Sequence, residues 1–336
     1  MESKKSKIIK KVVVIGFIIL AFLLGGVSGW ILSSRHNSQQ VVKVTPIRSP
    51  ESPLYKFINP LVGFDVAVQQ DFPELLLMKN NLEKYFAIET SANHLKTVGV
   101  YFRTLNNGHW FGIDEETRFH PGSLLKVPIM IAYFKKAETE QELLQKKILY
   151  NANNTPSIVP PNSTPSLLTN NTLYTVEDLI KAMIIQSDNG AKDALIYAIE
   201  SKYLEEVLRE MGFSSIDEAA TISPRLYANF FRRLHNSTFL SRENSEKALN
   251  ILSQTEFVDG IRKGVPDSVP VAHKFGERGV YEENRLVGVE LHDCGIIYQS
   301  SNHYLLCVMT SGYDEKILAG IIQKASSIVY TAIQTK

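Results

Sequence analysis

Phe119-His-Pro-Gly-Ser-Leu-Leu-Lys-Val-Pro-Ile-Met-Ile-Ala-Tyr-Phe134 is the stretch whose reading decides the rest of the chain. Pro121 and Gly122 make a turn that delivers Ser123 to the first turn of an apolar helix, and Lys126 follows three positions on. Positions i and i+3 share one helix face, so the Lys126 amine can reach the Ser123 hydroxyl. A serine is a poor nucleophile at neutral pH; a lysine desolvated among apolar side chains can lose its proton and serve as its base. The helix start adds unpaired N–H groups and positive dipole character where an oxyanion would form. Taken alone the pair says little, because Ser-x-x-Lys recurs by chance and a serine at a helix start is most often an N-cap.

The flanks of this helix set the fold class. Upstream, Pro73 starts a helical pattern with an apolar stripe of Leu75, Leu76, Leu82, Tyr85 and Phe86. Thr97–Arg103 and His109–Ile113 then flank Asn106-Asn-Gly108, a strong hairpin signal. Downstream, Asn151–Thr172 carries four prolines and no periodicity and reads as an exposed loop. Thr175-Val-Glu-Asp178 resembles a capping box and opens a helix that runs into Ser187-Asp-Asn-Gly190. Further helical patterns cover Ala191–Met211, Pro224–Leu234 and Arg242–Leu252. Short β-rich runs follow at Val271–Phe275, Val287–Leu291, Cys294–Gln299 and His303–Thr310, and Lys316–Thr335 reads as a closing helix. The expectation is an α+β domain over 71–336. Its antiparallel sheet comes from both ends (71–119 and 257–336), is flanked by helices, and carries an inserted all-helical subdomain over 120–256.

Composition excludes little. The 336 residues are 44% hydrophobic and 21% charged with a net charge of +1, which gives no reason to expect a nucleic-acid partner. The eight histidines show no ligand spacing, so no metal or cofactor is expected. The N-terminus is distinctive: Lys4, Lys5, Lys7, Lys10 and Lys11 precede an uncharged run from Val12 to Leu32. That run is long enough to cross a bilayer, and the lysines keep the tail (1–11) cytoplasmic with the remainder exported. A cleaved signal peptide is the alternative; its apolar region is normally shorter, and Val27-Ser-Gly29 is a poor cleavage site. Residues 33–70, with Pro46, Pro50, Pro53 and Pro60, read as a linker. The sequence leaves open whether its apolar islands, Leu54–Ile58 and Leu61–Phe64, dock on the domain.

Three elements stand in order: Ser123-Leu-Leu-Lys126, Ser187-Asp-Asn189 and Lys274-Phe-Gly276. Together they resemble the S-x-x-K, S-D-N and K-T-G elements of the penicillin-recognising serine enzymes, the class A β-lactamases and penicillin-binding proteins. The resemblance covers roughly residues 71–336. It implies that Ser123 is the acylated nucleophile, Lys126 its base or proton relay, and Ser187 a proton shuttle toward the leaving nitrogen. It also implies that Asn189 binds substrate or holds a lysine, and that Lys274, on a strand edging the cleft with Gly276, attracts a substrate carboxylate. The N–H groups of Ser123 and Glu277 would form the oxyanion hole. Read residue by residue, Ser187-Asp-Asn189 could equally be a turn, and both lysines ordinary surface charges.

Two departures from the pattern bear on function. Phe275 stands where the family has a hydroxyl that binds the substrate carboxylate; Arg278 nearby is either a substitute for it or an ordinary surface arginine. No Glu-x-x-Leu-Asn follows the Ser-Asp-Asn element, and Glu218 is the nearest carboxylate in a shortened segment, so an acyl-enzyme should form and decay slowly. Cys294 and Cys307 would face each other across a tight hairpin, either as a disulfide permitted by export or as two free buried thiols. The expected function is a membrane-anchored extracytoplasmic serine hydrolase acting on a β-lactam or a cell-wall peptide amide. The alternative is a non-catalytic β-lactam- or peptidoglycan-binding sensor that keeps the fold. Oligomeric state is not legible.

Overall fold

A computed structural model describes residues 47–48, 56–58, 61–62, 72–151, 167–213, 221–283, 285–300 and 302–334. The chain divides into two units, Met1–Ile47 and Arg48–Lys336, and the elements below belong to the second. The predicted basic tail 1–11, anchor 12–32 and most of the linker 33–70 lie outside the described residues, as does Glu218. Among the described residues no helix is long and apolar enough to cross a membrane.

Helix α1 (Pro73–Ser91) begins at a proline whose fixed φ suits a first helical position, and it buries Leu75, Met78, Leu82 and Phe86 at helical spacing. Strands β1 (Leu95–Thr104) and β2 (Trp110–Ile113) follow as the expected hairpin. After the helical block come β5 (Val271–Glu282), β6 (Arg285–Ile297), β7 (Tyr304–Gly312) and the closing helix α8 (Glu315–Gln334). The two ends of the domain merge in one antiparallel sheet, in spatial order β2-β1-β7-β6-β5. Alternation along the strands divides their side chains. Val100, Phe102, Leu306 and Val308 pack toward α1 and α8, whereas Tyr101, Leu305, Cys307 and Met309 pack toward the helical block.

That block contains α2 (Lys126–Ala137), α3 (Val176–Ile185), α4 (Asn189–Ala198), α5 (Ser201–Glu210), α6 (Pro224–His235) and α7 (Arg242–Leu252). Helix α2 is buried at every position from Lys126 to Phe134, the signature of a helix apolar all round and enclosed by others. Thr175 caps α3 in a full capping box with Asp178, as the sequence predicts.

Three expectations need correction. The helical block is not all-helical: β3 (Lys147–Tyr150) and β4 (Thr172–Thr175) pair as a small antiparallel sheet at the two ends of the predicted loop. The single helix read over Ala191–Met211 is two, because Ile199 and Glu200 are extended although no Gly or Pro marks the break. Val287–Leu291 and Cys294–Gln299 are one strand, β6, that runs straight through His292 and Asp293. Both of those polar residues are fully buried and satisfied: His292 Nε2 lies 2.9 Å from the His120 carbonyl oxygen, and Asp293 accepts the Ile261 N–H at 2.8 Å.

The alternatives for the cysteines resolve to a disulfide, which joins Cys294 and Cys307 across directly paired positions of β6 and β7. Within the predicted linker, Phe57 and Ile58 are buried. The N–H groups of Lys56, Phe57 and Ile58 donate to the Glu246 carboxylate of α7 at 2.7, 2.7 and 3.0 Å, so the described part of the first island, residues 56–58, does dock.

Candidate active site

Strand β5 is an edge strand, and its outer edge faces the 3₁₀ turn Gly122–Leu125 that leads into α2. Two glycines permit that approach. Gly122 has φ +51°, and a Cβ on it would stand 2.6 Å from the Glu277 carbonyl oxygen. A Cβ on Gly276 would stand 2.5 Å from the Pro121 carbonyl oxygen. Any larger side chain would drive the turn off the strand. The backbone of Ser123 and that of Glu277, proposed from sequence as the oxyanion donors, are thereby brought to the same place.

Ser123 is not a helix cap: the 3₁₀ turn is capped by Pro121 without a side-chain bond. Its Oγ instead lies 3.0 Å from Lys126 Nζ, because residues three apart eclipse in a 3₁₀ turn. Lys126 Nζ is also 2.5 Å from the Ser187 carbonyl oxygen, 3.0 Å from Ser187 Oγ and 2.8 Å from Asn189 Oδ1. Lys126 is 1% exposed. Two of its neighbours, the Ser187 and Asn189 carbonyl oxygens, only accept hydrogen bonds, whereas the two hydroxyls can also donate. A neutral amine donating to both carbonyls keeps a lone pair for the Ser123 hydroxyl. Burial first, and then the charges of Lys274 and Lys192, hold the Lys126 amine well below the usual lysine range.

Ser187 takes the left-handed conformation, φ +58°, which a non-glycine residue rarely adopts. Its hydroxyl sits between both lysines, 3.0 Å from Lys126 Nζ and 2.9 Å from Lys274 Nζ. Asp188 fixes the loop: it N-caps α4 through the Ala191 N–H at 2.7 Å and accepts from the Tyr150 hydroxyl at 3.3 Å. The Ser187-Asp-Asn189 element is thus both a turn and part of the cluster.

Lys274 is 0% exposed, and burial pushes its amine down to about 7 against the opposing pull of Asp293 and Glu277. Glu277 is pushed up to about 7 by burial and by Glu315. Both lysines therefore depart from the surface-charge alternative, and the structure gathers Ser123, Lys126, Ser187, Asn189, Lys274, Gly276 and Glu277 between the Ser123 turn and the outer edge of β5. Among the described residues no carboxylate hydrogen-bonds to Ser123 or Lys126, whose polar neighbours are those just named. Among the same residues no group of three or more His, Cys, Asp and Glu side chains is set to hold a metal.

Several supporting residues carry no sequence motif. Phe257 stacks on Phe275 with ring centroids 4.1 Å apart, and Asp293, 2.8 Å from His273 Nδ1, supplies the negative charge behind Lys274. Tyr150 and Lys192 act on the cluster from neighbouring elements. Only the polar pair inside the apolar run of β6 left any trace in the sequence.

Comparison with known proteins gives a consistent result. The model of the β-lactamase enzyme family matches residues 79–333. The solved structure of PBP-A superposes with a TM-score of 0.65 at 22% identity, covering 76% of this chain and 97% of that one. A PBP-A mutant in an acyl-enzyme complex with penicillin G gives the same TM-score and identity, with 77% and 97% covered. The class A β-lactamase from Mycobacterium abscessus gives 0.61 at 22% identity, with 75% and 98% covered. Among proteins of curated function none matches. Likeness at this identity speaks for the fold, and the family assignment rests on the match that spans nearly all of the domain: the chain belongs to the β-lactamase enzyme family.

Proposed function

We propose that the protein is a membrane-anchored, outward-facing serine hydrolase that works through an acyl-enzyme on Ser123, on a β-lactam or a cell-wall peptide amide. The observation that carries this reading is the unbroken polar chain Ser123 Oγ, Lys126 Nζ, Ser187 Oγ, Lys274 Nζ, with successive separations of 3.0, 3.0 and 2.9 Å. In the proposed reaction the neutral Lys126 amine takes the Ser123 proton as Oγ adds to the carbonyl carbon. The Ser123 and Glu277 N–H groups receive the developing oxyanion. Ser187 passes the proton to the leaving nitrogen as the C–N bond breaks, and Asn189 holds Lys126 and the acyl-side amide.

The sequence lacks the family's deacylating glutamate at its usual place, which favours slow release of the acyl group and a D,D-peptidase-like protein over an efficient β-lactamase. Phe275 in the third element motivates the second reading, a non-catalytic β-lactam- or peptidoglycan-binding sensor that keeps the fold. The lysine-flanked run 12–32 and the Cys294–Cys307 disulfide support an anchored domain on the oxidising side of the membrane. Intact-mass spectrometry with a penicillin, followed over time, tests the proposal. A lasting adduct absent from Ser123→Ala supports it, a fleeting adduct with hydrolysed drug indicates a β-lactamase, and no adduct in folded protein refutes it.

A further inference from the structure

We propose that His292 and Glu290 of β6 are positioning residues for acylation: together they grip the backbone of His120 and so fix the turn that presents Ser123 to Lys126. The inference rests on the acyl-enzyme reading above and adds to it the groups that hold the nucleophile in place. It begins from an oddity of the strand. β6 is buried from Glu290 to Ile297, yet it carries there a fully buried histidine that the proposed proton transfers do not use. A polar side chain in such a place costs free energy unless its nitrogens are bonded. Both are. Nδ1 accepts the Thr310 N–H of β7 at 3.3 Å, and Nε2 lies 2.9 Å from the His120 carbonyl oxygen. A backbone N–H only donates and a carbonyl only accepts, so one arrangement satisfies the two partners: a neutral ring that accepts at Nδ1 and carries its proton on Nε2. Burial, which pushes this imidazole down to about 4, keeps the ring in that form at neutral pH.

The grip is two-sided. Glu290 lies two residues before His292, on the same face of β6 by alternation, and its Oε2 accepts the His120 N–H at 3.3 Å. The donor and the acceptor of one backbone residue are thus both taken by side chains of this strand. Gly276 stands opposite His292 in the register, and the Pro121 carbonyl oxygen and Leu124 occupy the place where its Cβ would be, so the turn comes down on the sheet at that point. Arg278 stands opposite Glu290 and its charge acts on that carboxylate, while the His120 ring is 3.6 Å from the same oxygen. Glu290 is therefore a charged partner as well as an acceptor, and the test below separates the two roles.

The chain on either side of His120 has little slack. Phe119 exchanges both backbone bonds with Ile222, at 3.0 and 2.8 Å, and packs its ring edge-to-face with His292, centroids 5.3 Å apart. Pro121 accepts the Leu124 N–H at 2.9 Å and starts the 3₁₀ turn in which Ser123 Oγ meets Lys126 Nζ at 3.0 Å. His120 is therefore the link between a fixed bridge and the catalytic turn, and β6 fixes that link from the side. A displacement of a reacting atom by about 1 Å costs on the order of a hundredfold in rate, so groups that hold this link act on the chemistry without touching substrate.

The test is saturation kinetics of acylation by penicillin G on the full chain, which separates the acylation rate constant from the half-saturating concentration. His292→Gln keeps a donor where Nε2 was, whereas His292→Asn keeps only an acceptor for the Thr310 N–H and is too short to reach His120. Both put a neutral amide at one buried position, so both lose stability, but they should part in rate. The Asn variant should acylate at least about thirtyfold more slowly than wild type and the Gln variant within about fivefold of it, while the half-saturating concentration moves by less than about threefold in each. Glu290 repeats the comparison at a side chain that still touches solvent. Glu290→Leu should slow acylation by about tenfold, and Glu290→Gln, which drops the charge and keeps the acceptor, should recover to within about threefold of wild type. His292 variants that are equally fast or equally slow overturn the proposal, as does a loss confined to the half-saturating concentration. If neither His292 variant folds, the Glu290 pair decides, and equal rates in its Leu and Gln variants overturn the proposal. No adduct on folded wild-type protein refutes the acyl-enzyme reading and this inference with it, whereas a wild-type adduct with insensitive variants refutes the inference alone.

Discussion

Replacing Lys274 by Met should stabilise the protein while removing its chemistry, and the stabilisation should depend on pH. The amine is fully buried and pushed from 10.5 down to about 7. At about 1.4 kcal/mol for each pH unit, the charged form is disfavoured in the folded protein by on the order of 5 kcal/mol. The substitution also removes the bonds to Ser187 Oγ and the Phe275 carbonyl oxygen, at about 1 kcal/mol each, and the contact with the Phe275 ring, at about 1 kcal/mol. The net gain below pH 7 is then about 2 kcal/mol. The sign of the pH dependence follows from proton uptake. Between about 7 and 10.5 the unfolded chain binds more protons at Lys274 than the folded one, so wild-type stability rises with pH in that window. By pH 9 the wild type should recover about 3 kcal/mol, and the advantage of the variant should vanish or reverse. Lys126 and Glu277 reinforce this trend: without the Lys274 charge the first regains part of its basicity and the second is pushed further up. Urea unfolding of both proteins without reductant at pH 6, 7.5 and 9 measures the difference. An advantage that stays flat or grows with pH would refute the assignment of Lys274 as a buried, near-neutral amine.

Other substitutions probe the same construction. Gly276→Ala places a Cβ 2.5 Å from the Pro121 carbonyl oxygen and 2.8 Å from Leu124 Cγ. It should lower acylation of Ser123 by about a hundredfold and stability by about 1–3 kcal/mol, read by stopped-flow labelling and urea melts. Glu246→Ala leaves the N–H groups of Lys56, Phe57 and Ile58 without their acceptor. It should raise proteolytic cleavage near Phe57 by about tenfold while acylation stays unchanged, as limited proteolysis with mass mapping would record. Exchanging both Cys294 and Cys307 for Ser removes a cross-link spanning 13 residues and should cost about 3 kcal/mol in urea melts.

What the sequence made legible divides along physical lines. Local signals were reliable where the chain supplies its own partner or a fixed backbone angle: Thr175 with Asp178, and Pro224, which opens α6 where the helical pattern begins. The three catalytic-type elements were legible because each carries its chemistry in two to four consecutive residues. Features that depend on distant partners were not. His292 and Asp293 looked like a break between strands because their buried partners, the His120 carbonyl and the Ile261 N–H, lie far away in sequence. The break at Ile199 was hidden because apolar periodicity continues across it. Strands β3 and β4 escaped notice because each is four residues long and they flank a segment read as loop. Phe275 was visible as a departure, but its stacking partner Phe257 was not, because no spacing rule connects the two.

Acylation of Ser123 with Lys126 as its base is read most directly by intact-mass spectrometry and peptide mapping of the full chain. The probe is a penicillin, applied to wild type, Ser123→Ala and Lys126→Ala. The expected result is a single acyl adduct on the peptide containing Ser123, absent from Ser123→Ala. In Lys126→Ala it should form at least about a thousandfold more slowly, since the buried amine 3.0 Å from the Ser123 hydroxyl is gone. An adduct that persists in Ser123→Ala, or one that forms at wild-type speed without Lys126, would contradict it.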